Sequence, residues 1–371
     1  MKIAIIHDYL EYWGGAERVL ATLLEMFPQA EVFTLIYDEE KIGKFLGNTK
    51  IHTSCINKLP KFIKKRKRYL LPIIPSLPET FDLRDFDVVI SSSGAFAKGV
   101  VVRPKTVHIC YCHSPMRFAW DWYWQYKKEQ RKGPLTRAAI CLMTNYLRVW
   151  DFSSSQRVDY FIANSQNVSN RIKKYYRKDS KVIYPPVESP QKIQECGREN
   201  YFLIISRLSP YKRVDLAIEA FNKLHLPLVI AGDGSEMKRL KKMSGPNVEF
   251  VGNVSDGKKW GLLAKCRALI FPGDDDFGIT MVEAMMMGKP VMAFRGGGAL
   301  EIVQEGKTGE FFNTPSVEIL AEGIKRLREN FSKYDTHAIK KEAQKFSKER
   351  FKREFLEYFN SIVNNAEDLR K

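Results

Sequence analysis

The feature that most constrains this chain is an alternation that runs along its whole length. Strand-length apolar runs are separated by amphipathic segments of helical period. In the first half the apolar runs are Ile3–Ile6, Glu31–Leu35, Val88–Ser91, Val107–Cys112 and Tyr160–Ala163. In the second half they are Tyr201–Ile205, Leu228–Ala231, Val248–Val251, Ala268–Phe271 and Pro290–Phe294. Strands that alternate with helices imply parallel sheets with covering helices, an α/β architecture. The segment Tyr184-Pro185-Pro186-Val187-Glu188-Ser189-Pro190 breaks the rhythm, because proline suits neither a helix interior nor a central strand. A polar stretch follows to about Asn200, and the interdomain linker is expected there. At 371 residues the chain has material for two cores. The expected domains are 1–187 and 198–345, both Rossmann-like. Open α/β sheets bind ligands beyond the carboxyl ends of their strands, so two such sheets facing each other would enclose a deep cleft.

The net charge of +17 points to anionic partners: nucleic acid, a phospholipid surface or phosphorylated small molecules. Ile3–Ile6 is far too short for a secretory segment or a membrane span, so a cytoplasmic location is expected. Six cysteines (Cys55, Cys110, Cys112, Cys141, Cys196 and Cys266) contain no CxxC pair. They read as core residues, with Cys110 and Cys112 on the same side of one strand.

Three loops carry the chemistry. Gly14-Gly15-Ala16-Glu17-Arg18 follows the first strand and opens a helix; it suits either a close-approaching anion or a plain tight turn. Ser206-Arg207-Leu208-Ser209-Pro210-Tyr211-Lys212-Arg213 follows the first strand of the second half. The Arg207 guanidinium and the Lys212 ammonium suit a diphosphate and could stabilise a departing nucleoside diphosphate without a metal. The run from Asp274 to Met285 crowds acids at a helix start and places Glu283 among apolar neighbours. A carboxylate there needs a partner or a ligand, and sugar or ribose hydroxyls would serve.

Asp275-x7-Glu283 matches the E-x7-E motif of the retaining GT-B glycosyltransferases of family four. Ser206-Arg207-Leu208 with Lys212, Ala231-Gly232-Asp233-Gly234 and Gly297-Gly298-Ala299-Leu300-Glu301 stand around it. Gly14-Gly15-Ala16-Glu17, Cys112-His113-Ser114-Pro115 and Ala163-Asn164-Ser165 add to it from the first half. In order and spacing the chain resembles that family over nearly its whole length, and most of all its bacterial mannosyltransferases of O-antigen or exopolysaccharide synthesis.

The resemblance implies a GT-B fold, two Rossmann-like domains facing across a cleft, with a C-terminal helix (about 350–371) that returns to the first domain. Phe346, Phe351, Phe355, Tyr358 and Phe359 are consistent with one face of that helix. It implies transfer of a hexose, mannose from GDP-mannose, to a lipid-linked saccharide. Glu283 would bind the donor ribose and Asp275 the sugar hydroxyls, with Asp276 able to share that task. Arg207 and Lys212 would hold the diphosphate, and the backbone at Gly278, Ile279 and Thr280 the donor sugar or phosphate. His113 would lie near the donor sugar, Gly15 near the phosphate, and Gly252 and Val254 along the base pocket. The first acid of the motif is Asp275 rather than Glu, one methylene shorter. No cofactor or metal is expected, although Asp274-x-Asp276 spells DxD.

Lys61, Lys64, Lys65, Arg66, Lys67 and Arg68 form a basic run in which Leu59, Phe62, Ile63, Tyr69 and Leu70 recur at helical spacing. This reads as an interfacial element on an anionic membrane, placing the protein peripherally on the inner face of the cell membrane. Trp120, Trp122, Tyr123, Trp124 and Tyr126 suit a bilayer interface, a glycan-stacking surface or core packing. The competing readings are a sugar-nucleotide epimerase of the same fold, a basic nucleic-acid-binding protein, for which no binding motif is present, and a non-catalytic scaffold.

Overall fold

All ten apolar runs form strands in the computed structural model, which describes residues 1–64, 69–129, 133–190 and 199–368. The first sheet contains β1 (Ile3–Leu10), β2 (Glu31–Tyr37), β3 (Ile51–Thr53), β4 (Val88–Ser93), β5 (Val107–Cys112), β6 (Tyr160–Ala163) and β7 (Ser180–Val182). Its order is β3-β2-β1-β4-β5-β6-β7, with every pair parallel. The second sheet contains β8 (Phe202–Ile205), β9 (Leu228–Ala231), β10 (Val248–Gly252), β11 (Leu269–Phe271), β12 (Val291–Phe294) and β13 (Gly309–Phe312). Its order is β10-β9-β8-β11-β12-β13, again all parallel. β3, β7 and β13, absent from the sequence reading, are all sheet edges. An edge strand has one neighbour and needs no continuous apolar run, and Ile51-His52-Thr53 and Ser180-Lys181-Val182 show none.

The chain divides into two units: Met1–Pro186 with Phe351–Lys371, and Val187–Arg350. Residues 191–198 of the expected linker lie outside the described residues. Helix Lys348–Asp368 joins the first unit through Phe351, Phe355 and Phe359, which are buried with Ile5, Ile90, Ile109 and Tyr111 of the sheet. Phe359 lies 4.8 Å from Phe27 and Phe351 lies 5.8 Å from Tyr111. Phe346 departs from the expected stripe. It lies in the turn Gln344–Phe346, against Phe277 at 5.5 Å in the second unit.

Cys110, Cys112 and Cys266 are buried as expected, whereas Cys55 and Cys141 are exposed and Cys196 lies outside the described residues. Beneath β4, Lys98 and Asp151 form a fully buried ion pair that has no sequence signal. Asp151 also accepts hydrogen bonds from Trp120 Nε1 (2.7 Å) and Tyr176 Oη (2.9 Å), and Lys98 Nζ donates to Ala95 O at 2.7 Å. These bonds offset the desolvation of both charges.

His108 on β5 is wholly buried, with Nε2 2.8 Å from Ser91 Oγ and no hydrogen bond to Nδ1 among the described residues. Burial pushes its pKa down to about 4. Unfolded histidine titrates near ~6.5, so across that window the unfolded chain binds a proton that the native chain excludes. Stability therefore rises with pH between these two values, by up to about tenfold in the folding equilibrium per pH unit. Replacing His108 with Gln should remove its share of this rise and leave that of His113, whose pKa is also lowered. Urea unfolding followed by the tryptophans of the first unit checks it; an unchanged slope would show that another group drives the acid loss.

Candidate active site

In a parallel sheet whose strand order reverses, loops diverge at the reversal and leave a crevice at the carboxyl edge. In the second sheet the reversal lies between β8 and β11. The loop after β8 supplies Arg207 and Lys212, and the loop after β11 supplies Asp275 and Gly278. Across the reversal, Lys212 Nζ forms an ion pair with Asp275 Oδ2. The two loops are in backbone contact: a Cβ on Gly273 would lie 2.8 Å from Lys212 Cα. A third loop, after β12, closes on the second. Gly298 N donates to Asp275 O at 2.9 Å, and a Cβ on Gly297 would come within 2.1 Å of the same oxygen. Gly297 also has a φ of +53°. The Gly-Gly motif thus serves the packing that presents Asp275.

Arg207 is exposed, and its guanidinium has no ion-pair partner among the described residues. Gly278, Ile279 and Thr280 open helix Ile279–Met286, half-buried. Gly252 ends β10, and its carbonyl accepts from Gly232 N at 2.8 Å; Val254 follows, half-buried. Glu283 is buried on helix Ile279–Met286, and its Oε1 is paired with Lys259 Nζ of helix Asp256–Lys265. The partner that a carboxylate in apolar surroundings requires is therefore a lysine of this chain. Oε2 takes no hydrogen bond from the described residues and keeps its acceptor capacity.

In the first sheet the reversal lies between β1 and β4. His7 and Ser92 sit opposite each other in register there, and His113 follows β5. Ser92 Oγ lies 3.1 Å from His7 Nδ1 and 2.8 Å from His113 Nε2. His7 Nε2 faces Glu17 Oε1 at 3.6 Å, and Glu17 Oε2 accepts from Gly14 N at 2.9 Å. Gly15 begins helix Gly15–Met26 directly after this contact.

One proton arrangement satisfies these contacts in sequence. The 3.6 Å from His7 Nε2 to Glu17 is longer than a hydrogen bond; in the tautomer with the His7 proton on Nε2, Nδ1 accepts from the Ser92 hydroxyl. Ser92 Oγ in turn accepts from His113 Nε2, which leaves the His113 Nδ1 lone pair unused. Burial, then the neighbouring His7, push the His113 pKa down to about 3. The ring is a neutral acceptor at ordinary pH. Asn164 Nδ2 donates to His113 O at 2.9 Å, which joins two motifs of the sequence. Asp8 accepts from four successive backbone N–H groups, Gly94 to Ala97, at 2.6–2.8 Å and so shapes the loop after β4.

His7, Asp8, Ser92 and Lys259 were not singled out in the sequence. His7 and Ser91-Ser92-Ser93 were legible as polar residues closing apolar strands. Lys259 has no such signal, since only the fold brings it to Glu283.

The basic run is only partly described. Lys65, Arg66, Lys67 and Arg68 lie outside the described residues, as does the Lys61 side chain. Helix Lys61–Lys64 is short, and Lys64 Nζ donates to Asn57 O at 2.9 Å. Leu59 and Leu70 pack on the core beside Ile56 and Ile74, whereas Phe62 is exposed. Trp120 turns inward, stacked on Tyr175 at 4.6 Å and bonded to Asp151, which fixes it in a packing role. Arg117 lies 5.5 Å over Trp122, and Trp124 is exposed.

The buried Lys259–Glu283 pair yields a stability prediction. Lys259→Met leaves Glu283 without its countercharge and should cost about 3–5 kcal/mol. Adding Glu283→Leu should restore much of that loss. Urea unfolding read at Trp260, beside Lys259, checks this; a double variant as unstable as the single would show that the two side chains act independently.

Two family models match the chain, Glycosyltransferase Family 4 over residues 13–189 and Glycosyl transferases group 1 over residues 187–346. Alpha-1,3/1,6-mannosyltransferase ALG2 of Dictyostelium discoideum is 30% identical over 396 residues, covering 88% of this chain and 89% of the relative. O-antigen chain mannosyltransferase C of Escherichia coli is 27% identical over 194 residues, 47% of this chain and 52% of the relative. The crystal structure of Anabaena HepE in complex with UDP-glucose superposes with a TM-score of 0.69 at 19% identity, over 97% of this chain and 100% of that one, and shares the fold. With models that together span residues 13–346 and a relative aligned over most of both chains, this protein belongs to family 4 of the glycosyltransferases, the glycosyl transferases group 1, and has the GT-B fold.

Proposed function

We propose that this glycosyltransferase moves mannose from GDP-mannose, with retention of configuration and without a divalent metal, onto a lipid-linked saccharide in cell-surface polysaccharide synthesis. The observation that carries the reading is the Lys212–Asp275 pair across the β8/β11 reversal, with the exposed guanidinium of Arg207, which has no ion-pair partner among the described residues, in the same loop. The bond between the sugar's anomeric carbon and the diphosphate oxygen breaks, and negative charge collects on the departing nucleoside diphosphate. Lys212 and Arg207 stabilise that charge in the place a metal would otherwise take. An arriving diphosphate competes with Asp275 for the Lys212 ammonium. Asp275 is thereby released to accept hydrogen bonds from sugar hydroxyls, with Asp276 beside it in sequence.

The N–H groups at Gly278, Ile279 and Thr280 favour an anion. Glu283 Oε2 accepts from the ribose, and Gly252 and Val254 line the base. In the first unit, Gly15 approaches phosphate, and the His113 Nδ1 lone pair accepts from a sugar hydroxyl. Mannose is supported by the names of the mannosyltransferase relatives. A membrane-borne acceptor is supported by the net charge of +17 and by the basic run 59–70, in a chain where no described helix is long and apolar enough to cross a membrane.

Among GDP-mannose, UDP-glucose and ADP-glucose, GDP-mannose should raise the melting temperature most, since ligand at ~100 times its Kd adds about 2.7 kcal/mol. A larger shift with UDP-glucose would overturn the donor. Lys212→Ala should lose about 1.5–3 kcal/mol of donor binding, and with it turnover. EDTA should leave transfer unchanged; activity lost in EDTA and restored by Mn²⁺ would refute metal independence.

Ser92→Ala tests the proton chain. It should lower kcat on the order of tenfold, one hydrogen bond's worth, while the donor-induced thermal shift stays at its wild-type size. Equal losses in both would make Ser92 a packing residue only.

A further inference from the structure

β1 and β4 pair in register as far as His7 and Ser92, whereas β1 stays with β2 on to Leu10 and Tyr37. The chain that leaves β4 therefore takes no further ladder bonds from β1. Asp8, the next residue of β1, holds it with a side chain instead. Its Oδ2 accepts from Gly94 N at 2.6 Å and Ala95 N at 2.8 Å, and its Oδ1 from Phe96 N at 2.8 Å and Ala97 N at 2.6 Å. Successive backbone N–H groups that converge in this way form an anion receptor, and a carboxylate fills it with short, charge-assisted bonds.

One peptide unit carries this restraint to His113. The peptide between Ser93 and Gly94 donates its N–H to Asp8 Oδ2, and its carbonyl accepts from His113 N at 2.8 Å. Turning that peptide breaks both bonds at once. His113 is also held at its carbonyl by Asn164 Nδ2 at 2.9 Å and at its ring Nε2 by Ser92 Oγ at 2.8 Å. Those two contacts come from side chains directly. The bond to His113 N depends on how the 93–94 peptide is turned, and Asp8 sets that. The far end of the loop has anchors of its own: Lys98 is paired with Asp151, and Phe96 lies 5.7 Å from Trp150. Loss of the Asp8 carboxylate would thus release the peptides nearest His113 rather than the whole loop.

We propose that Asp8 is a positioning residue for sugar transfer, fixing the Ser93–Gly94 peptide and through it His113. The proposal rests on the reading that the His113 Nδ1 lone pair accepts from a hydroxyl of the donor sugar. Asp8 is half-buried, so a small anion can reach the receptor that its removal leaves.

The test removes the side chain and returns its chemistry. Asp8→Gly vacates the four N–H groups, and acetate has the shape of the part removed. Turnover is read as GDP released from GDP-mannose with water as acceptor, so no acceptor identity enters. Asp8→Gly should lower kcat on the order of tenfold, with the donor-induced thermal shift at its wild-type size. Acetate should restore kcat saturably; acetamide, neutral and of equal size, should not. Adding Asp8→Gly to His113→Ala should lower kcat no further, because residues that act through one another are not additive. A second readout needs no substrate. The ring ¹⁵N signal of His113, assigned by its loss in His113→Ala, should move in Asp8→Gly and return with acetate. If Asp8→Gly does not fold, Asp8→Asn carries the kcat and ring-signal comparisons, since its amide turns a donor toward two of the N–H groups.

Wild-type kcat and an unmoved His113 signal in the variant overturn the proposal. So do losses that multiply in the double variant, or acetate that raises the melting temperature of Asp8→Gly while restoring neither kcat nor the signal. If His113→Ala turns over like the wild type, or the wild type releases no GDP, the site or donor reading fails. The ring signal then decides the positioning by itself: movement and return uphold it, and an unmoved signal ends it.

Discussion

The structure depends on one constraint. Every strand pair in both sheets is parallel, so the central strands are buried on both faces and covered by helices. Such strands carry few polar groups along their length, and most functional ones collect near or beyond the strand ends, as with Ser92 at the end of β4 and the loops after β8 and β11. Where the strand order reverses, between β1 and β4 and between β8 and β11, two of these loops turn apart. His7 and Ser92 occupy one reversal, and Lys212 and Asp275 the other.

Placing charge near a buried sheet carries a desolvation cost, and the chain meets it by pairing. Lys98 with Asp151 and Lys259 with Glu283 are buried pairs. Asp8 is satisfied instead by four backbone N–H groups of the loop it shapes. The pairs differ in consequence. Asp151 spends both oxygens on Lys98, Trp120 and Tyr176 and is purely structural. Glu283 keeps one oxygen unbonded among the described residues, and Lys212 is only partly buried. The same electrostatic device thus either locks a fold or holds a site ready for exchange, depending on how many acceptor positions remain.

Histidine shows a similar division. His108 and His113 are held neutral chiefly by burial. His108 lies inside the first sheet, where its ring nitrogen Nε2 meets Ser91 Oγ of a neighbouring strand. His113 lies just beyond the end of β5, joined through Ser92 to His7, whose other nitrogen faces the Glu17 carboxylate.

The sequence by itself determined the architecture and the location of the chemistry. Nine central strands were legible because burial on both faces demands unbroken apolar runs, and the edge strand β10 was legible from Val248-x-Phe250-Val251; the loops after them were legible because Gly, Arg, Lys and Asp stand out against such runs. The short edge strands β3, β7 and β13 were not, since one neighbour suffices to hold them. Only tertiary structure decided which polar groups meet. Lys259 reaches Glu283 from 24 residues away, and Ser92 joins His7 and His113 across 85 and 21 residues. It also turned Trp120 inward to Asp151 and left Leu142 and Val149 outward on their helix. That helix, Pro134–Gln156, buries Thr144, Asp151, Ser154 and Ser155 and exposes Leu135, Leu142 and Val149, so which face is buried depends on what the fold places beneath it. That is set by contacts distant in sequence, to which a local pattern is blind.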